Sequence, residues 1–139
     1  MRRYGIIAAV LVGLAGCGED TAERENRPRP PAPINVTAAI DDTQVRISPG
    51  RFGSGPVVFI ISNQSGATQR VTFETDEVGA ETGGIRRSTS TIAASSTGEL
   101  KVDPPEGTYR LSASSGGIRP AEIEVGARRK SAQDELLQP

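Results

Sequence analysis

Gly-Pro-Val-Val-Phe-Ile-Ile-Ser-Asn, at residues 55–63, is the most apolar segment of the chain beyond residue 34. Its five central residues, Val57 to Ile61, are all apolar, and four of them are β-branched. Such side chains favour extended backbone because they pack well on a pleated surface. An apolar run of this length between turn residues is typical of a central strand of a core. We therefore predict a β-rich domain built around this strand.

Shorter strand-like runs lie on either side of the central segment, separated by turn residues. In residues 69–75, Val71 and Phe73 lie on one face and polar residues on the other. Residues 49–55 are expected to form a glycine-rich loop, and residues 76–88 are expected to be the least ordered part of the domain. The alternation predicts further strands at residues 34–40, 44–48, 89–93, 98–102, 108–114 and 120–125.

The number and spacing of these runs define a fold class. About seven to eight short strands without an amphipathic helical period predict an all-β fold, namely an antiparallel Greek-key β-sandwich. Alternation along the strands predicts which apolar side chains point inward, in addition to the central segment: Val36, Ala38, Ile40, Val45, Ile47, Val71, Phe73, Leu100, Val102, Tyr109, Leu111, Ala113, Ile123 and Val125.

The order of these segments resembles the cupredoxin-like fold over residues 34–125. The matching pieces are the run at 55–63, the Val71-Thr72-Phe73 strand, the strand at 98–102, the corner at 105–109 (Pro-Glu-Gly-Thr-Tyr) and the closing strand at 121–125. The resemblance implies a sandwich of two sheets. An immunoglobulin-like sandwich is the alternative, because a Gly-x-Tyr corner in which the Tyr hydroxyl holds the turn also occurs there.

Metal-binding proteins with the cupredoxin-like fold hold copper through His, Cys and Met side chains, and this sequence lacks them at the comparable positions. Gln69 stands where the first His is expected, and Ala113 stands where the Cys is expected. The short loop at 115–118 contains neither His nor Met, and the whole chain has no His. Blue-copper chemistry requires a thiolate and imidazoles. The resemblance therefore implies a domain without a metal or other bound cofactor.

The beginning of the chain resembles the signal peptide and lipobox of bacterial lipoproteins. Arg2 and Arg3 precede a short apolar run that ends in Leu14-Ala15-Gly16-Cys17. The run is shorter than the roughly 20 residues of a membrane-spanning helix. The resemblance implies cleavage between Gly16 and Cys17, a diacylglyceryl group on the Cys17 sulfur and, depending on the host, a further N-acyl chain. Because Cys17 is the only cysteine, no internal disulfide is expected.

These features divide the chain into four predicted segments. They are a cleaved signal peptide at 1–16, a lipid anchor with a Pro-rich linker at 17–33, the β-sandwich at 34–126 and a charged tail at 127–139. Four prolines fall between residues 28 and 33, and they favour an extended polyproline II spacer. The tail is expected to be disordered or to form one short frayed helix.

Three groups of charged residues are candidates for ligand binding. Arg86 and Arg87, beside two glycines, suit an anionic ligand such as a phosphate or a sugar acid, although paired surface arginines are usually solvated. The pair Asp41-Asp42 and a second group supply the oxygen ligands that Ca²⁺ prefers. Without EF-hand spacing, solvated turns are the better interpretation of both. The second group consists of Asp76, Glu77 and Glu81.

Composition excludes several classes of function. The chain has 16 Lys and Arg residues against 17 Asp and Glu residues, so it has no basic surplus for nucleic acid. The absence of His excludes Ser-His-Asp and Cys-His nucleophile systems, and we do not expect an enzyme.

The sequence therefore leads to one functional hypothesis and one alternative. The hypothesis is a monomeric lipoprotein, held on the extracytoplasmic face of the cell membrane, whose metal-free β-sandwich binds or scaffolds an envelope protein or glycan. This face is either the outer surface of the cell or the side that faces the periplasm. The alternative is a copper-binding or electron-transfer protein of the cupredoxin type, which the missing ligands disfavour.

Overall fold

A computed structural model describes residues 29–76 and 84–132, and this part of the chain is almost entirely β-structure. Nine strands are present in it. Most of them alternate between buried and exposed side chains, as expected for strands with one face on a core. The strands are β1 (Ile34–Ile40), β2 (Val45–Ser48), β3 (Arg51–Ser54), β4 (Val57–Asn63), β5 (Val71–Thr75), β6 (Arg86–Ser88), β7 (Thr97–Val102), β8 (Gly107–Ala113) and β9 (Ala121–Arg128).

The strands form two sheets that enclose a common core. One sheet has the order β2-β1-β4-β7, and the other has the order β3-β9-β8-β5-β6. The predicted all-β sandwich is confirmed, with nine described strands instead of seven to eight. Both sheets are mixed rather than purely antiparallel, because β1 pairs with β4 and β3 pairs with β9 in parallel. The parallel pairs arise because the chain passes to the second sheet for β3 and then returns to the first.

β4 is the central strand of the smaller sheet, as the sequence predicts. It pairs with β1 on one side and with β7 on the other. Val57, Phe59 and Ile61 are buried between the sheets, whereas Val58 and Ile60 are half-buried on the outer face. The apolar residues on both faces of β4 therefore reflect a central position in the sheet rather than complete burial on both sides.

The core lies between the two sheets, and aromatic rings connect them. Phe59 of β4 contacts Phe73 of β5 with ring centroids 5.5 Å apart, and Phe73 stacks on Tyr109 of β8 at 4.7 Å. Phe52 of β3 meets Phe59 edge to face at 6.2 Å. Aromatic pairs at such distances contribute about 0.5–1.5 kcal/mol each beyond area burial. All the inward apolar positions predicted from alternation lie in this core or pack against it.

Three local predictions differ from the structure. The segment at 49–55, predicted to be a loop, contains β3, because Phe52 is buried in the core and the strand pairs with β9. The segment at 76–88, predicted to be irregular, contains the exposed edge strand β6, which pairs with β5. Residues 89–93, predicted to be a weak strand, form only one bridge, between Gln69 and Ile92.

The folded domain extends past both predicted boundaries. Pro31 is buried, although the sequence assigns it to the linker. β9 continues to Arg128 instead of ending at residue 126, and Ser131 is also buried. The first and last segments of the domain contact each other through the hydrogen bond from Arg129 to Ala32 O, which local composition does not encode.

The predicted lipoprotein features lie outside the described residues. The predicted signal peptide, Gly16, the lipidation site Cys17 and residues 133–139 of the tail are not among the described residues. Within the part of the chain that is described, no helix has the length and apolar character needed to cross a membrane.

Candidate functional site

At the end of the sandwich where β4 ends, three connecting segments lie together beside the loop between β1 and β2. They are the loop at 64–70, the segment at 89–96 that leads into β7, and the loop at 114–120 that follows β8. Backbone hydrogen bonds join the first two, including Gln69 N–H to Ile92 O at 2.9 Å. The side chain of Gln69 reaches the third segment. The resemblance to the cupredoxin-like fold places the missing His and Cys at this end.

Gln69 lies at the centre of this group of loops, with an exposed fraction of only 1%. Its Nε2 donates hydrogen bonds to Ser115 Oγ at 2.8 Å and to Ser65 Oγ at 3.3 Å. Its Oε1 accepts from the Ser115 backbone N–H at 3.1 Å and from Ser114 Oγ at 3.2 Å. The amide of Gln69 therefore uses both N–H donors and both acceptor lone pairs within the protein.

Asn63, the last residue of β4, is fully buried and holds the neighbouring loops in the same way. Its Nδ2 donates to the backbone oxygens of Ala67 at 2.8 Å, Ile92 at 3.0 Å and Ala93 at 3.1 Å. Its Oδ1 accepts from the backbone N–H and the hydroxyl of Ser65. Since Ser65 also contacts Gln69, these residues form one unit. We call it the polar network: Asn63, Ser65, Gln69, Ser114 and Ser115.

The polar network does not fit a copper ion. Its side chains are neutral amides and hydroxyls, whereas copper in this type of fold requires a thiolate and imidazoles. In residues 29–76 and 84–132, every buried side-chain nitrogen and oxygen atom has a hydrogen-bond partner. In the same part of the chain, no group of three His, Cys, Asp or Glu side chains is arranged to hold a metal. The network instead connects loops that would otherwise be separate.

Asp41 and Asp42, the first candidate pair for Ca²⁺, act as acceptors for neighbouring loops. Asp41 Oδ1 accepts from Thr43 Oγ1 at 2.6 Å, from Thr43 N at 2.8 Å and from Gln44 N at 2.9 Å. The Thr43 hydroxyl bond, followed by the two backbone N–H bonds, lowers the pKa of the Asp41 carboxyl below its ordinary value of 3.8. Asp42 accepts from Gly66 N at 3.0 Å. Both carboxylates therefore fix the loop between β1 and β2.

Asp76, from the second acidic group, forms an ion pair with Arg110 on β8. Its backbone N–H also donates to Thr108 O at 3.0 Å. Glu77 and Glu81 lie outside the described residues, so the structure shows only one member of this predicted group. That member supports the end of β5.

Arg86 and Arg87, the candidate anion contacts, are both exposed on the edge strand β6. Their side chains point to opposite faces of the strand, because successive residues alternate. Arg86 Nε lies 3.7 Å from Glu74 Oε2, whereas Arg87 lines a groove with Lys101 of the other sheet. The structure therefore does not bring the two guanidinium groups together around one ligand.

Two open grooves lie on the smaller sheet. The outer-face groove has a volume of about 340 Å³ and is lined mainly by small and apolar side chains, including Ala39, Ile47 and Ile60. The second groove, of about 360 Å³, lies where the linker enters the domain. We call it the linker groove, and it is lined by Pro33, Pro56, Val57, Val58, Arg87, Lys101, Val102 and Asp103.

Sequence reasoning identified Gln69 as the residue at a ligand position but missed its partners. It assigned Asn63 and Ser65 only to a turn, and Ser115 only to a loop. One signal was available, since Asn followed two residues later by Ser is typical of a turn closed by the Asn side chain. The bonds between Gln69 and Ser115 join residues 46 positions apart, and nothing local marks them.

Comparison with known proteins shows a likeness in structure but not in sequence. No protein-family model and no curated protein matches the chain. Auracyanin B aligns with a TM-score of 0.50 and 14% identity, over 70% of this chain and 90% of that chain. Auracyanin A from Chloroflexus aurantiacus, described as a "blue" copper protein, aligns with a TM-score of 0.49 and 14% identity, over 68% of this chain and 100% of that one. The domain is therefore a cupredoxin-like β-sandwich, and at this identity the likeness concerns the fold alone.

Proposed function

We propose that this chain is a lipid-anchored protein of the bacterial cell envelope, whose metal-free cupredoxin-like domain binds or scaffolds another envelope molecule. The hydrogen bonding of Gln69 carries the metal-free part of the proposal. Where a metal-binding member of the fold has an imidazole, this chain has a neutral amide that is bonded to Ser65, Ser114 and Ser115. An ion entering here would break these bonds and gain no soft or imidazole ligand in return.

The anchor part of the proposal comes from the sequence at residues 14–17, Leu-Ala-Gly-Cys. Lipoprotein processing joins two or more acyl chains to the Cys, and two chains hold a protein on a bilayer firmly where one does not. The Pro-rich segment then separates the domain from the anchor on the extracytoplasmic face. The partner of such a domain is an envelope protein or glycan, and the domain itself is not expected to catalyse a reaction.

Copper titration of the chain from residue 17 tests the metal-free part. We expect no intense thiolate-to-copper absorption band and no rise in Tm on adding Cu(II), because only a ligand that binds the folded state raises the free energy of unfolding. Auracyanin A, described as a "blue" copper protein, is the positive control. A saturable absorption band or a concentration-dependent rise in Tm would favour the copper-binding or electron-transfer alternative.

The substitution Cys17→Ser tests the anchor. In the native host we expect the wild-type chain to sediment with membranes and the variant to be soluble, because the acyl chains have no other attachment point. Thr21→Ala, in the same segment, is the control and should stay with the membranes. Intact-mass measurement completes the test. A wild-type protein that retains its first 16 residues and carries no acyl mass would contradict the proposal.

The binding role is tested by crosslinking in intact cells. A photoactivatable residue replaces exposed Thr68, at the end that carries the polar network, or exposed Glu99, on the smaller sheet. A specific partner is expected to be captured from one of these positions and not equally from both. Capture from neither position would count against a binding or scaffolding role.

A further inference from the structure

We infer that the end of the domain where the linker enters is a docking surface for an anionic lipid bilayer. The inference rests on the proposed lipid anchor and names the surface that the anchored domain turns towards its own membrane. Three observations support it: the way the linker is attached, the composition of the linker groove, and the position of exposed cations that form no ion pair within the described residues.

The linker is attached to this end of the domain by Arg129. Its guanidinium donates from Nη1 to Ala32 O at 2.8 Å, from Nη2 to Pro56 O at 2.6 Å and from Nε to Gly53 O at 3.1 Å. A charged donor on three backbone oxygens holds the linker, the start of β4 and β3 together. The described part of the linker therefore meets the domain at this end, and the proposed anchor would turn this end towards the membrane.

Two glycines of β3 and its turn make room for this attachment. A Cβ atom at Gly55 would lie 2.8 Å from Pro31 Cγ and 3.0 Å from Arg129 Nη2, and the φ of Gly55 is +126°. A Cβ atom at Gly53 would lie 2.7 Å from Arg129 Cγ and 2.8 Å from Ala127 O. Only glycine fits such close approaches, and only glycine readily adopts that φ. The linker is thus docked at a site shaped for it.

The linker groove beside this attachment combines apolar walls with cations. Lys101 of β7 pairs in register with Val58 of β4, and Arg87 approaches the same groove from the other sheet. Both cations are exposed. Apolar side chains next to Lys and Arg suit the boundary between lipid headgroups and acyl chains, where the cations meet phosphates.

Two more exposed cations, Arg128 and Lys130, follow at the end of β9. In the described residues, the ion pairs occupy other arginines, and none involves these two residues, Arg87 or Lys101. Among the described residues, the exposed carboxylates of Asp103 and Glu106 also lie at this end, two against these four cations. We call these cations the basic surface: Arg87, Lys101, Arg128 and Lys130.

A basic surface is notable because the chain as a whole has a formal net charge of −1. Segregated charge of this kind attracts an oppositely charged surface even when the net charge opposes it. The attraction acts only within a Debye length, about 10 Å at 0.1 M salt. The anchor overcomes this limit because it keeps the domain at high local concentration next to the bilayer. A weak electrostatic attraction between the basic surface and the bilayer is then sufficient to orient the domain.

Vesicle partitioning of the mature chain carrying Cys17→Ser tests this inference without any contribution from acyl chains. The probes are vesicles of phosphatidylcholine alone and vesicles that also contain phosphatidylglycerol, compared at low and high salt. We expect binding to the anionic vesicles only, and loss of binding at high salt. Lys101→Gln, Arg128→Gln and Lys130→Gln should each weaken the partition about fivefold, the effect of one cation near an anionic bilayer.

Arg70→Gln is the matched control, because Arg70 is an exposed cation at the opposite end of the sandwich. It should change the partition less than about twofold, and unchanged Tm values would show that all variants are folded. No binding to anionic vesicles at low salt, equal binding to neutral vesicles, or an equal loss in Arg70→Gln would each overturn the inference. These outcomes leave the proposed anchor untouched, since that is tested separately by acylation of Cys17.

Discussion

Gln69 is the buried residue whose side chain joins the loops at one end of the domain. A histidine at this position would offer one ring nitrogen to an ion. The glutamine amide instead binds the hydroxyls of Ser65 and Ser115, and it accepts from the loop that follows β8. One side chain thus connects loops that are distant in sequence.

Truncation of this side chain tests its structural role. Gln69→Ala should lower the free energy of unfolding by about 2–4 kcal/mol, because it leaves a buried cavity and removes the partners of Ser114 and Ser115. Urea denaturation measures the loss. Thr68→Ala, at the exposed neighbouring position, is the control and should change the free energy by less than about 0.5 kcal/mol. Similar values for the two variants would show that the polar network contributes little to stability.

Tyr109 gives a second prediction at the scale of one residue. Its hydroxyl donates to Pro105 O at 2.9 Å, the contact that the sequence suggested for this corner. Burial raises the pKa of the Tyr109 hydroxyl above its ordinary value of 10.0. The folded state therefore favours the neutral hydroxyl, so this contribution to stability is complete below pH 10 and is lost as the pH rises through the pKa of the folded state.

Absorbance of tyrosinate measures this shift directly. The chain has two tyrosines, Tyr4 and Tyr109, and a chain that begins at residue 17 retains only the second. We expect its folded form to titrate at a higher pH than the same chain in urea. Tyr109→Phe should cost about 1 kcal/mol at neutral pH through loss of the hydrogen bond, and that difference should shrink above pH 10. Identical midpoints for the folded and unfolded chain would contradict the assigned burial.

At the scale of the strand, the sequence predicts elements whose own side chains reach the core. Val71 and Phe73 of β5 alternate with polar residues, so the strand and its inward face could both be predicted. β3 has a single large apolar residue, Phe52, and all three residues of β6 are exposed. β3 forms because β9, far along the chain, supplies its hydrogen bonds, and β6 forms as an edge strand on the preceding strand β5. No hydrophobic period marks either strand. The parallel pairing of β3 with β9 was hidden for the same reason.

The polar network shows the same limit as the strands. The exchange of a ligand residue for Gln69 is visible in the sequence through the resemblance to a fold. The burial of the Gln69 amide and its bonds to serine side chains are not visible, because Ser115 lies 46 positions away. The burial of Pro31 was likewise not predictable, because the proline-rich composition around it is typical of a spacer. Arg129, which bonds the neighbouring Ala32 O, lies 97 positions away.

The contact between Ile92, in the segment that leads into β7, and Gly98 of β7 can be tested by substitution. A Cβ atom there would lie 2.6 Å from Ile92 Cδ1 and 2.7 Å from Ile92 Cγ1. Gly98→Ala should therefore cost about 1–3 kcal/mol, because the buried Ile92 side chain must move. Gly116→Ala, where nothing lies within 4 Å of the added atom, is the control.

A double-mutant cycle identifies the cause. In a chain that carries Ile92→Ala, the added methyl group of Gly98→Ala no longer meets the isoleucine side chain, so the second substitution should cost less than it does alone. Thermal or urea unfolding of the four chains gives the coupling free energy. Additive losses would mean that backbone strain in β7, and not the contact with Ile92, makes the glycine necessary.

At the scale of the whole molecule, the two ends of the sandwich differ in chemistry. One end contains the polar network, in which buried amides and hydroxyls satisfy one another. The other end contains the linker groove, the basic surface and Arg129, which joins the linker to β3 and β4. Arg129 thus fixes the linker at Ala32 against this end of the domain. The position of Arg129 therefore matters for how the domain is presented, as well as for its stability.

Removing the Arg129 guanidinium while keeping an apolar stem should loosen the linker without unfolding the core. In Arg129→Met the oxygens of Ala32, Gly53 and Pro56 lose a charged donor, and we expect a loss of about 2–4 kcal/mol in the free energy of unfolding. The Ile34 amide, which donates to Pro56 O at 3.2 Å, reports the local change. Its hydrogen exchange should become faster than that of amides further along β1, because opening of the linker does not require unfolding of the sheet. Lys130→Met, at the next position, removes a cation that donates no hydrogen bond to the described linker residues 29–33, and it should leave exchange at Ile34 unchanged. Equal exchange at Ile34 in both variants would mean that the linker is held by its prolines alone. Arg129 would then not fix the place where the linker joins the domain.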